Sequence, residues 1–317
     1  MPYLLLLLLS LPAPSDWLSR ATAHFQVLHL PGSEGEVKAL EEDLEPELAR
    51  VSGLLEMEPG ATITVVFAPD RKTFLALQAG APAWASGTAY PERSLIYLRP
   101  LTGEEVRASS MRAVIAHEVS HVLLARKLQG HTAPAWLDEG LAVYLSAEPL
   151  YARAERLFPI GLTGNFLAFR DLEAGFPDNA DLAETAYAQS GDFIGFLYAT
   201  YGQAAFNQYL ELMAQGQDPD ASLKAAFHAP LFDLETAWLK HVRRSYGWVP
   251  ALSGGALLWF LIALLAILAW QRKRARSQKK LALMALEEQF FYGDEPADGA
   301  GEEMEDEDDG PPFRALH

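Results

Sequence analysis

One five-residue pattern, His117-Glu118-Val119-Ser120-His121, constrains this chain more than any other feature of it. It sits in a stretch, 103–129, that reads as one helix, opened by a capping-box pair at Thr102 and Glu105 and closed at Gly130. Positions i and i+4 of a helix lie one above the other, so both imidazoles project from one face at a separation that a single metal ion bridges. Glu118, about 100° around the helix, reaches the open side of that ion. Zinc held there brings the pKa of a bound water down to about 7, and the carboxylate takes its proton as the water attacks a carbonyl. Val114, Ile115, Val119, Val122, Leu123 and Leu124 surround the motif, which makes the helix a buried, central one. The purely structural alternative is a pair of core histidines beside an ion-paired glutamate.

A catalytic zinc takes three protein ligands and keeps a fourth position open for water. The segment Ala135-Trp136-Leu137-Asp138-Glu139-Gly140-Leu141-Ala142 offers the third. Glu139 follows His121 by 18 positions and opens a second helix, reached through the turn at 130–134. Two antiparallel helices joined this way face each other. A glutamate in the first turn of a helix also stabilises that helix by itself, which is the structural alternative. His131 and Asp138 compete with Glu139. His131 lies in the turn, and Asp138 is better suited as a hydrogen-bond partner for a ligand imidazole.

The residues ahead of this motif alternate between strand and helix signals. His24–Leu30, Thr62–Phe67 and Ser94–Arg99 read as strands, Glu34–Glu56 and Asp70–Gln78 as helices. From Thr102 onward only helices are expected, including one that begins near Asp181 and ends at Tyr201-Gly202, then others at about 203–215, 220–227 and 231–246. A small sheet followed by helices is an α+β arrangement.

Composition sets the surroundings. The chain has 317 residues, no cysteine and a net charge of −17, so disulfides, thiolate metal sites and cysteine nucleophiles are excluded and nucleic acid is not an expected partner. Two apolar segments do not belong to a water-soluble core. Residues 1–15 carry the leucine run Leu4–Leu9 and small residues before Ser15, the pattern of a secretory signal, with no base ahead of the leucines. Ala251 to Trp270 is 20 residues without a charge, long enough for the roughly 30 Å hydrocarbon layer. Six bases and no acid follow in 271–280, against three bases on the other flank, which puts the tail in the cytoplasm. The expected organisation is a signal at 1–15, an ectodomain at 16–248, one plasma-membrane span at 250–270, and a disordered tail at 271–317 that ends in an acidic block at 302–309. Oligomeric state has no signature in the sequence.

HEVSH followed by AWLDEGLA resembles the gluzincins, zinc metallopeptidases, and in particular the peptidase MA-like family with its WLNEGLA-type block. The likeness extends from HFQVLHL through TITVVF and SLIYLR to AYAQSGDFIGFLYATYG, and does not reach the apolar run or the tail. It implies a zincin-like fold, zinc on His117, His121 and Glu139, and Glu118 as general base. Asp138 stands where the family pattern has Asn. The resemblance further implies that the strand at 94–99 is an edge strand pairing with extended peptide substrate, and that Tyr187 stabilises the oxyanion, with Tyr144 a lesser candidate. The G-x-M-E-N segment by which aminopeptidase-N-like gluzincins hold a free amine has no counterpart; the corresponding stretch is Ser86–Pro91. The expected activity is therefore peptide hydrolysis. Two rival expectations are a gluzincin-fold binding or scaffolding ectodomain without turnover, and a zinc hydrolase for a non-peptide amide.

Overall fold

Phe25, Val27 and His29 are buried and alternate with Gln26 and Leu28, which are not, and this two-residue period marks the start of a five-stranded sheet. The computed structural model describes residues 16–78, 85–146, 150–246 and 254–292. The signal at 1–15 and the acidic block at 302–309 lie outside them. The strands are β1 (Leu18–Ala21), β2 (Phe25–His29), β3 (Ile63–Phe67), β4 (Gly87–Tyr90) and β5 (Leu95–Leu98), and they lie side by side in the order β1-β2-β3-β5-β4. Strand β2 runs parallel to β3, with Phe25 opposite Ile63, and β3 runs parallel to β5, with Thr64 opposite Leu95. Parallel neighbours need a crossover. Helix α1 (Glu34–Leu54) supplies the first, turning Val37, Leu40, Leu44, Leu48 and Val51 into the core at three- and four-residue spacing.

The strand order overturns one expectation. The segment at 94–99 is not an edge: β5 is covered by β3 on one side and by antiparallel β4 on the other, with Gly87 opposite Leu98 and Tyr90 opposite Leu95. A single 3-10 turn at Pro91–Arg93, finished by Ser94 at φ 48°, folds the hairpin. Among the described residues the free edge on this side of the sheet is therefore Gly87–Tyr90.

The motif helix is also shorter than expected. The stretch 103–129 divides into a single turn, α3 (Glu105–Ala108), and α4 (Met111–Lys127). Ser109 is extended, and the Ser110 hydroxyl starts α4 afresh by accepting the Ala113 amide. Glu105 accepts the Thr102 amide as the sequence pattern implies, but it also takes two bonds from the fully buried Arg99 guanidinium. Gln129 and Gly130, at φ 53° and 92°, turn the chain after α4.

The second half is helical: α5 (Ala135–Ser146), α6 (Leu150–Thr163), α7 (Ala180–Ala214), α8 (Pro219–Phe227) and α9 (Leu231–Tyr246). Helix α2 (Arg71–Leu77) follows β3. Helix α6 was not expected from the sequence. Gly202 kinks α7 at φ 83°, where one helix was expected to end and another to begin. Helices α5 and α7 touch backbone to backbone. A β-carbon at Gly140 would stand 2.8 Å from the Ser190 carbonyl oxygen, and one at Gly191 would stand 2.4 Å from a Val143 methyl.

These elements form one compact unit that ends at Pro250; a second unit begins at Ala251. It holds helix α10 (Gly254–Tyr292), so residues 271–292 are helical where a disordered tail was expected. Leu281, Ala282, Leu283 and Met284 are strong helix formers and the first glycine comes at 293. Trp259, Phe260 and Leu265 on this helix are 70%, 66% and 64% exposed. Among the described residues no helix is long and apolar enough to cross a membrane.

Candidate metal centre and active site

Helices α4 and α5 bring three ligand-type atoms to one point. His117 and His121 stack on one face of α4, ring centroids 4.9 Å apart and planes at 78°. Glu139, in the first turns of α5, faces both: its Oε2 is 3.7 Å from His117 Nε2 and 3.8 Å from His121 Nε2. One donor atom from each residue lies within 4.8 Å of the others. Those separations are too long for hydrogen bonds. They are close to the roughly 3.3 Å expected between donors about 2.0–2.1 Å from a tetrahedral zinc. Two imidazoles and a carboxylate, partly buried and aimed at a common point they do not fill themselves, fit a catalytic zinc ion.

The next layer holds these groups in place. Asp138 Oδ1 accepts the His121 Nδ1 proton at 2.7 Å, which leaves Nε2 free to face Glu139. Buried Glu47 of α1 accepts Arg112 from α4 and Arg50 from its own helix, and Arg50 in turn donates to the Leu145 carbonyl near the end of α5. One carboxylate thus ties together the helices that carry the ligands. At the other end of α4, Arg126 donates to the Pro59 and Ala61 carbonyls and to the Ser94 hydroxyl.

Residues 72–244 match the family profile described as the Peptidase MA superfamily. The match spans more than half of the chain and contains His117, Glu118, His121, Asp138 and Glu139. The chain belongs to the Peptidase MA superfamily. No curated protein matches the sequence. Among solved structures, a single-substitution variant of an M1 zinc metallopeptidase from Deinococcus radiodurans is 15% identical with a TM-score of 0.47, over 71% of this chain and 52% of that one. Native yeast LTA4 hydrolase is 16% identical with a TM-score of 0.45, over 75% of this chain and 39% of that one. This chain spans about half the length of the first and less of the second. Both scores lie below 0.5, and the family assignment rests on the profile match.

In this Peptidase MA chain the remaining candidates separate cleanly. Glu118 is 6% exposed and turns toward β4, where its carboxylate fills the space beside Gly87 and the Ala89 amide favours its charged form. Tyr187 on α7 packs edge-on against Phe176 and lies within electrostatic reach of Glu139, Glu118 and Asp138. The close contact of α5 and α7 at Gly140 and Gly191 brings it there. Tyr144 stacks on Tyr198 in the core, ring centroids 5.2 Å apart. His131 packs against the Gly216 turn instead of the histidine pair. Sequence reasoning missed Gly87 and Ala89; an isolated glycine inside an extended stretch, a mark of close backbone approach, was the available signal.

Burial governs the electrostatics. It pushes Glu118 up to about 7, with Glu139 and Asp138 adding to the rise and His121 opposing it. It pushes His117 down to about 3, helped by the charge of His121. At His121 burial works in the same downward sense, but the hydrogen bond and charge of Asp138, with Glu139 and Glu118, outweigh it and raise the group to about 9. Glu139 is raised, chiefly by burial. Burial and then the three carboxylates raise Tyr187 as well, so its phenol keeps its proton.

Proposed function

We propose that this chain is a membrane-anchored zinc metallopeptidase that hydrolyses peptide bonds outside the cytoplasm. One observation carries the reading: His117, His121 and Glu139 converge beside a buried Glu118, and Glu118 lies against an open strand edge. Zinc bound there polarises a carbonyl and makes water a competent nucleophile near neutral pH. The chain's own residues do the rest. The free edge of β4 offers main-chain donors and acceptors to an extended peptide of any sequence. Glu118 accepts a proton from the attacking water and passes it to the leaving amine. Tyr187, kept protonated, donates to the oxygen that gains charge. Asp138 fixes the tautomer of His121.

The anchoring part of the reading rests on the uncharged run Ala251–Trp270 and on the exposed tryptophan, phenylalanine and leucine side chains of α10. In water such a surface is unfavourable at about 25 cal/mol per Å2. The six bases at 271–280 support an orientation with the preceding unit outside the cytoplasm.

The test is metal-dependent cleavage by the full-length protein in detergent, read on a quenched peptide library. Cleavage should stop when a chelator strips the metal and return with about one equivalent of zinc. Metal-loaded protein that cuts no peptide would instead favour a non-peptide amide or a binding role.

A further inference from the structure

Gly87, like Gly140 and Gly191, is a glycine of close approach, and it is the one that meets the proposed proton acceptor. Its backbone is not in the left-handed region, so no conformational demand calls for glycine there. The demand is for space. A β-carbon at Gly87 would stand 2.6 Å from Glu118 Oε1, 2.7 Å from its Cγ and 2.8 Å from its Cδ. Because Cγ is as close as the oxygen, turning the carboxylate about its last bond clears nothing. The whole end of the side chain would have to leave. It has little room to do so, since Glu118 is 6% exposed and belongs to the core-facing helix α4. Two residues along the same strand, the Ala89 amide favours the charged form of the same carboxylate.

The direction of that amide follows from the register. In an antiparallel ladder hydrogen-bonded pairs alternate with unbonded ones. The Arg99 amide donates to the Ser86 carbonyl at 3.1 Å, one step before the pair Gly87–Leu98, so Gly87 and Ala89 occupy unbonded positions. Their amides and carbonyls therefore point away from β5, toward the open edge. Glu118 is thus seated on the very strand that the peptide would join.

We propose that Gly87 is a positioning residue: the space left by its missing side chain is the seat of the Glu118 carboxylate. Strand β4 then registers the substrate and the proton acceptor on the same few main-chain atoms. The proposal rests on the role of Glu118 given above.

Four full-length proteins test it: wild type, Gly87→Ala, Glu118→Ala and the double variant, each measured for metal content, melting temperature, KM and kcat on one peptide. Gly87→Ala should keep its metal and leave KM within about threefold, while kcat falls about 100-fold, the cost of misplacing a reacting group by about 1 Å. Glu118→Ala removes Cγ, Cδ and Oε1, the three atoms that the new methyl group would meet. With them gone the methyl group displaces nothing, so the double variant should turn over no more slowly than Glu118→Ala alone. If Gly87→Ala also melts early, adding Glu118→Ala should restore the melting temperature. An unchanged kcat in Gly87→Ala, a loss confined to KM, a double variant slower than Glu118→Ala, or an early melt that Glu118→Ala fails to restore would each overturn the proposal and leave the peptidase reading standing. A wild type that holds metal and cuts no peptide would overturn both.

Discussion

Asp138 stands 2.7 Å from His121 Nδ1, and at the scale of single residues this contact makes the most specific forecast. Asp138→Ala should weaken zinc binding about 10–100-fold, read by competition with a chromogenic chelator, and should do so whether or not the protein turns over substrate. Unchanged affinity would mean that the pair serves only to pack the two helices. Tyr187 makes a separate forecast. Tyr187→Phe should leave the metal and KM nearly untouched while lowering kcat about 10²–10³-fold; a loss in KM alone would place the phenol in substrate binding. The histidine pair and its glutamate were legible because their arrangement needs nothing but helical geometry over five residues. Glu139 required one turn more. Tyr187 was reached only through resemblance, since what brings it to the site is the glycine contact between two helices that are distant in sequence.

Strand β4 was not recognised as a strand, and its neighbour β5 was taken for the edge. Gly-Thr-Ala-Tyr alternates two residues depleted in strands with two strand formers, whereas Leu-Ile-Tyr-Leu holds no such breaker. The second run did carry a signal of its own. All four of its residues are apolar, the pattern of a central strand covered on both faces rather than of an alternating edge, and all four are buried. Strand order itself is set by pairing between distant segments, which no local pattern reports. Helix packing makes the forecast at this scale. Gly140→Ala places a methyl group against the Ser190 carbonyl and should cost about 1–3 kcal/mol in denaturant unfolding. A variant as stable as the wild type would show that α5 and α7 have slack to separate.

For the molecule as a whole, acid sensitivity and the proposed membrane attachment are the measurable properties. Arg99 is fully buried and bonds Glu105, which it holds well below the ordinary 4.5, at about 2, against a smaller opposing effect of burial. A depressed carboxylate contributes stability that is present above about pH 4.5 and is lost as the pH falls toward 2. The melting temperature should therefore drop through that window, and Glu105→Gln should flatten this part of the profile while lowering stability at neutral pH. An equal acid slope in the variant would assign the loss to other carboxylates. On the membrane side, carbonate washing should leave the full chain in the pellet, and removal of residues 250–270 should release it. These outcomes frame the activity but do not decide it. The deciding measurement is zinc content and peptide cleavage of the full-length protein beside its Glu118→Gln variant. The account predicts about one zinc in each and a fall in kcat of about 10²–10⁴-fold in the variant alone. A variant that holds zinc and cuts as fast as the wild type would contradict it.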